Sequence, residues 1–370
     1  HKEYRRQRQM CIRDSLLILA VLVIFFSTFT PNDSIARRNT LTPNQKEYLK
    51  TAQNINVQAL ALTEKGSVNA NMIRKVVSAR LQSMGFTVTE PNSLENDLTL
   101  RVKCEERRSS INMTRIGGDA DRQGSPSRLW KGPACQLTYR LNGTDGHWRQ
   151  EIRTPFQDAW QEAKAQGIKD AGQYALAQLN EVLKKDNFVL ELLAEWKQEK
   201  RMAAILTSPE SSRPTKKTII RLSRNISGPI MLTALQQTMA DHELAPEATS
   251  AMGFMGKTAA PFLLNLLKTS DSIEIKASAA EALGEIGAHS RDTSILPTLL
   301  AMMDTPQIDL QVQIEIVKAI GKIPDYQSIE PLTKLGLKSW TSQSRNPRMQ
   351  ELREAIDWSL WQIDATDSSH

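Results

Sequence analysis

Aromatic residues are scarce in this chain: Phe, Trp and Tyr together make up 5% of its 370 residues. Histidine is scarcer. The five are His1, His147, His242, His289 and His370, and none has a second histidine or cysteine at metal-ligand spacing. No Gly-x-Ser-x-Gly elbow occurs, so the common serine-hydrolase signature is missing. Gly253-Phe254-Met255-Gly256-Lys257-Thr258 ends like a phosphate loop, but Ala251 stands where that motif needs its first glycine. Asp119 and Asp121 begin like a calcium loop whose pattern then fails. Glu105-Glu106 sit beside Arg107-Arg108, and ion pairing accounts for them. The one small polar cluster to nominate for an enzyme is Asp145, His147 and Arg149, and a hairpin turn explains it better. No run of five like charges and no aromatic-rich basic strand appears, which argues against nucleic acid as a partner. The expectation is a protein without catalytic, cofactor or metal residues.

Cysteine is also rare, with Cys11, Cys104 and Cys135. Cys11 falls in a suspect segment. Gln9 to Ser15 can be written CAG ATG TGT ATA AGA GAC AG plus one base, which looks like a transposon-end adapter used in sequencing libraries. Residues 1–15 are therefore read as an assembly artefact, the alternative being a basic n-region supplied by Arg5, Arg6 and Arg8. Leu16 to Phe29 is an apolar run of fourteen residues, short for a spanning helix and suited to a signal-peptide core. Ser34-Ile35-Ala36 is a small-x-small site. Residues 16–36 are expected to be a signal peptide cleaved after Ala36, or an inner-membrane anchor facing the periplasm. In an exported chain Cys104 and Cys135 form an even pair, expected to be disulfide-bonded. The bond would close a loop of about 32 residues, worth roughly 3–4 kcal/mol in the chain-entropy model. Two free buried thiols in a cytosolic protein is the competing expectation.

Charge divides unevenly. Residues 37–153 carry 19 Lys/Arg against 11 Asp/Glu, and residues 154–370 carry 23 against 27. The basic half suits an anionic membrane surface or glycan, or is simply a solvated surface.

The pattern over residues 37–186 predicts an α+β domain with a polar lead-in and a short helix near Pro43–Leu60. Asn69 to Met84 reads as a helix stopped by Gly85. Strands are expected at Phe86–Thr89, Leu98–Cys104, Gln136–Leu141 and Trp148–Arg153, with Asn142-Gly143-Thr144-Asp145-Gly146 as a hairpin turn. That makes about four antiparallel strands, followed by helices at Asp158–Gln166 and Asp170–Lys185. The polar stretch 105–134 is a long loop, functional or disordered. Residues 187–226 read as connecting helices and a linker: a helix from Asn187 to Met202, then Thr207-Ser208-Pro209-Glu210-Ser211-Ser212-Arg213-Pro214. That linker either separates two domains or joins the first helices of a helical array.

From 227 onward the chain repeats itself. Ala248-Thr249-x-Ala251-Met252-Gly253-x-Met255 aligns with Ala279-Ala280-x-Ala282-Leu283-Gly284-x-Ile286. Ile316-Val317-x-Ala319-Ile320-Gly321-x-Ile323 and Ile356-Asp357-x-Ser359-Leu360-Trp361-x-Ile363 are the third and fourth copies. A proline-started, leucine-rich helix alternates with these copies, at Pro229, Pro261, Pro297 and Pro331. Each repeat is a helix, a tight turn and a second helix, and neighbours must stack to bury their apolar stripes. Over about 227–363 the chain resembles HEAT repeats, in particular the short bacterial form named for phycobilisome lyases. That name implies no lyase activity, because the family includes plain scaffolds. Trp361 replaces the glycine of the other copies and no second helix follows, so the fourth copy is expected to be a C-terminal cap, with Trp358 and Trp361 covering the last layer.

The resemblance implies an all-α solenoid after the α+β domain and a non-catalytic scaffold that binds a protein partner through its repeats; the expected signal peptide makes it an envelope protein. Two alternatives stand beside it. One is anionic lipid or glycan binding by the basic domain; the other is a regulatory subunit of an envelope enzyme complex.

Overall fold

Asn54–Thr63 is the strand on which the first half is built. The computed structural model describes residues 41–90, 96–107, 132–291, 293–323, 325–341 and 346–367. The segments 1–15 and 16–36, and residues 108–131 of the expected loop, lie outside the described residues. Helix α1 (Pro43–Leu49) starts in a capping box, with Thr42 accepting from the Gln45 amide and the Gln45 side chain returning to the Thr42 N–H. Strand β1 (Asn54–Thr63) is next, then β2 (Gly66–Val68), α2 (Asn71–Ser83), β3 (Thr87–Thr89), β4 (Leu98–Glu105), β5 (Ala134–Leu141) and β6 (Thr144–Arg153). The sheet order is β2-β1-β4-β5-β6, and β3 also pairs with β1.

This corrects two expectations. Residues 54–60 are strand, not the end of a lead-in helix. The sheet is mixed rather than antiparallel, because β1 runs parallel to both β3 and β4. The physical reason lies in β1 itself. Ile55, Val57 and Ala61 point inward and are buried. Leu60 and Leu62 fall on the other face, and alanine has weak strand preference, so the period of two is blurred.

Cross-strand register explains the two faces. Ala61, Cys104, Cys135 and Ile152 form one row across four strands, on the buried face. The Cys104 and Cys135 sulfurs stand 2.01 Å apart in that row. Gln58, Arg101, Thr138 and Arg149 form a row on the opposite, polar face. Asn142 and Gly143 both adopt positive φ in the β5–β6 turn, the geometry a two-residue hairpin requires. Asp97 pins the start of β1 by accepting from the Tyr48 hydroxyl and the Gln53 and Asn54 amides, at 2.5, 2.6 and 2.6 Å. Burial opposes charge on Asp97, but these donors outweigh it and hold its carboxyl below the usual range.

Helices α3 (Ala159–Ala165) and α4 (Ala171–Lys185) come next, capped by Asp158 and Asp170. Helices α2 and α4 pack on the buried sheet face. From there the described chain is helical: α5 (Phe188–Glu195), α6 (Glu199–Thr207), α7 (Arg213–Ser223), α8 (Pro229–Thr238), α9 (Ala245–Met252), α10 (Ala260–Thr269), α11 (Ile273–Ser290), α12 (Leu296–Met303), α13 (Leu310–Gly321), α14 (Ile329–Thr341) and α15 (Pro347–Asp367). Each proline-started helix packs on the helix that follows it, α8 on α9, α10 on α11, α12 on α13 and α14 on α15. Helices α7, α9, α11, α13 and α15, the first-helix row, stack on one another.

The single helix expected over 187–202 is broken. Lys197 takes a left-handed conformation (φ 51°) between α5 and α6. The break lets Trp196 turn into the sheet domain. Its ring lies edge-on to Phe86 and Tyr139, with centroids 5.7 and 5.5 Å away. Gln198 donates to the Leu49 and Ala52 carbonyls, and Arg201 donates to the Met84 carbonyl and lies over the Phe86 ring. Tyr139 donates to Glu195 at 3.2 Å, and burial first, then the Glu195 charge, pushes the phenol pKa up. Residues 208–212 form a short turn into α7, whose cap is Ser212. The stretch expected to connect or separate domains is therefore packed structure, and the buried core runs unbroken from Leu41 to Ile363.

Candidate functional site

The repeats present the chain's longest regular surface, and one contact sets their spacing. A Cβ on Gly253 would lie 2.8 Å from the Ala282 Cα; one on Gly284, 2.7 Å from the Ala319 Cα; one on Gly321, 2.7 Å from the Ser359 Cα. In every case the glycine of one repeat receives the small residue two positions before the glycine position of the next. Only hydrogen fits between the two backbones at that distance. Leu263, Leu283, Leu299, Ile320 and Leu332 fill the layers behind it and are fully buried.

Residues 260–350 match the family model described as HEAT repeats. Over these residues the chain is similar to HEAT repeats. No curated protein matches it. The run of helices itself begins before the matched residues, at α5. Arg224 occupies the glycine position there, counted back from Ile226, and its guanidinium lies 5.2 Å from the Phe254 ring centre.

The first-helix row of the helical array is laced by polar contacts between neighbours. Lys217 pairs with Glu247, Ser250 donates to Glu281, Lys322 pairs with Glu285, and Lys318 pairs with Glu315 and Glu351. Desolvation opposes the charge on Lys318, but its two carboxylate partners prevail and raise its pKa. The second-helix row has an ion pair of its own, Lys338 with Asp304, and also presents apolar side chains: Ile230 is exposed, Phe262, Leu266 and Leu300 are half-buried, and Leu337 and Trp340 stand 65% and 66% exposed. Large exposed apolar side chains at one end of a regular surface are the ordinary mark of an interaction site.

The last repeat corrects the expected cap. Trp361 sits at the glycine position but is 63% exposed, and Trp358 is also exposed, so neither covers the last layer. Leu352, Ala355, Ile356, Ser359 and Ile363 do that, from the opposite side of α15.

Asp145 accepts from Arg140 and Arg101 on the polar sheet face, and these arginines, the closest first, lower its pKa. Asp145, His147 and Arg149 alternate along strand β6 and share its exposed, polar face, where the Asp145 carboxylate is taken up by the two arginines. Arg107 and Arg153 pair with Glu151, and Glu105 pairs with Lys103 and Arg107. Most of the basic charge described on this face is thus already matched. Gly256 and Lys257 of the phosphate-loop look-alike form the tight turn into α10. Sequence reasoning missed Trp196 and Gln198, which lie in a stretch of alternating charges that reads as one helix.

Proposed function

We propose that this protein is an exported, non-catalytic envelope scaffold that holds a protein partner on the second-helix row of its HEAT repeats. The observation that carries the reading is the pair of large apolar side chains that the second-helix row leaves exposed at its C-terminal end, Leu337 and Trp340, the latter with the Arg353 guanidinium over its ring. Repeat surfaces of this kind present a broad face rather than a pocket. The short bacterial form of the repeat fits the close glycine contacts. Capture of envelope proteins by the full chain, beside a Leu337→Asp, Trp340→Asp double variant, tests the surface. The variant loses the partner that the native chain retains.

Export belongs to the same proposal, through a signal peptide at 16–36 or an anchor in its place. Oxidation of Cys104 and Cys135 goes with it, because a disulfide persists outside the reducing cytosol. Both side chains are fully buried. Alkylation under denaturing conditions without reductant is expected to leave both unmodified, and prior reduction is expected to expose both. A Cys104→Ser, Cys135→Ser variant is expected to lose roughly 3 kcal/mol of unfolding free energy. Full alkylation of the native protein would contradict the compartment.

A further inference from the structure

A cleft opens where the end of β1, the end of β4 and the first turns of α3 and α4 meet, with a volume of about 450 Å³. Glu106 forms its floor, 7% exposed, with Oε2 accepting from the Glu64 amide at 3.1 Å. Gly172 makes room for that carboxylate: a Cβ there would lie 2.8 Å from Glu106 Oε2 and 2.8 Å from Thr63 Cγ2. Lys65 and Asp170 form one wall, paired at 2.9 Å, and Lys169 stands exposed beside them. Trp160 forms the lip, 59% exposed, although it is among the largest side chains in the protein. Its backbone amide is fixed by Asp158, and the Lys164 ammonium lies 5.0 Å from its ring centre.

Two features coincide here. A carboxylate, held by the Glu64 amide, sits at the bottom of the cleft. An indole stands in water at the mouth, where its apolar surface gains nothing. Convergent polar groups around one aromatic face are what a small-ligand site requires. The charge narrows the ligand class. Acidic and basic side chains nearly balance around the cleft, with Glu64, Glu106, Asp158 and Asp170 against Lys65, Arg107 and Lys169. A balanced lining gives no net attraction for a phosphate or an anionic chain. It suits a neutral ligand whose groups both donate and accept hydrogen bonds.

We propose that this cleft binds one unit of a neutral saccharide. The apolar C–H face of the sugar ring stacks on Trp160, its hydroxyls donate to the Glu106 and Glu64 carboxylates, and Lys65 and Lys169 donate to its oxygens. The site lies on the α+β domain and does not rest on the scaffold reading.

Calorimetric titration of the full chain with chitotetraose, cellotetraose and maltotetraose tests it. At least one is expected to bind with a Kd below about 1 mM, and Trp160→Ala to weaken that binding about tenfold or more. The exposed position of Trp160 means that this variant keeps the native circular dichroism and thermal midpoint. Glu106→Gln, which retains the shape and the acceptor for the Glu64 amide, is expected to weaken binding as well. No heat from any of the three at about 10 mM, or native affinity in Trp160→Ala, would overturn the proposal.

Discussion

Gly284→Val is expected to destabilise the protein by about 3 kcal/mol, at the upper end of what overpacking costs. The new Cβ would meet the Ala319 Cα at 2.7 Å and its Cβ at 2.9 Å, so backbone rather than a flexible side chain must move. Helix propensity slightly favours valine over glycine, by a few tenths of a kcal/mol, and cannot offset that clash. The two neighbours must part, and α13 to α15 lose the layer beneath them. The damage is expected to stay local, because each repeat touches only its neighbours. Hydrogen exchange should therefore rise over 310–367 while β4 and β5 keep their protection. Trp361→Gly is the matching control. It occupies the same motif position but is exposed, so its cost is expected to stay under about 1 kcal/mol, mostly helix propensity. Equal effects from the two variants would show that the glycine contact does not set the stack.

Trp196→Ala is expected to cost about 3–5 kcal/mol, the range for emptying a fully buried tryptophan site. The indole is the common neighbour of Phe86 and Tyr139, and through Lys197 and Gln198 its backbone is tied to the carbonyls at the end of α1 and just beyond it. Removing the ring leaves a cavity at the join between sheet and helices. The variant should unfold in two steps in urea, with the repeats and the sheet domain separating, where the native chain loses both together. Trp196→Phe, which keeps an aromatic edge contact, should cost less than half as much. A single unchanged transition in Trp196→Ala would mean that the two halves are stabilised independently of this joint.

The repeats were legible because their constraint is written in adjacent positions. A small residue, an apolar residue and a glycine recur in phase with a proline-started helix, the first pattern set by the contact between stacked helices and the second by the helix N-terminus. The hairpin at Asn142-Gly143 was legible for the same reason, since positive φ at two successive positions selects those residues. The sheet topology was not. Parallel pairing of β1 with β4 joins residues far apart in the chain, such as Ile55 and Leu98, and no local pattern records such a partner. The helices before 227 did not show the repeat pattern, because Arg224 takes the glycine position and its guanidinium meets the Phe254 ring instead. The cap was misread because burial was inferred from size. Trp358 and Trp361 are large, but the inward side of α15 is set by Ser359, which must meet Gly321. The cleft was not foreseen at all: Glu106 read as an exposed ion pair, and only the fold brings Gly172 and Trp160 to it.

The most direct measurement of the scaffold reading is the capture experiment run with a photo-crosslinking residue at position 337 and, separately, at position 149. The first lies on the second-helix row and the second on the polar face of the sheet. Illumination in an envelope extract is predicted to give a discrete protein adduct from position 337, lost when Trp340 is changed to Asp, and none from position 149. An adduct from position 149 alone would contradict the account and place the partner on the sheet domain.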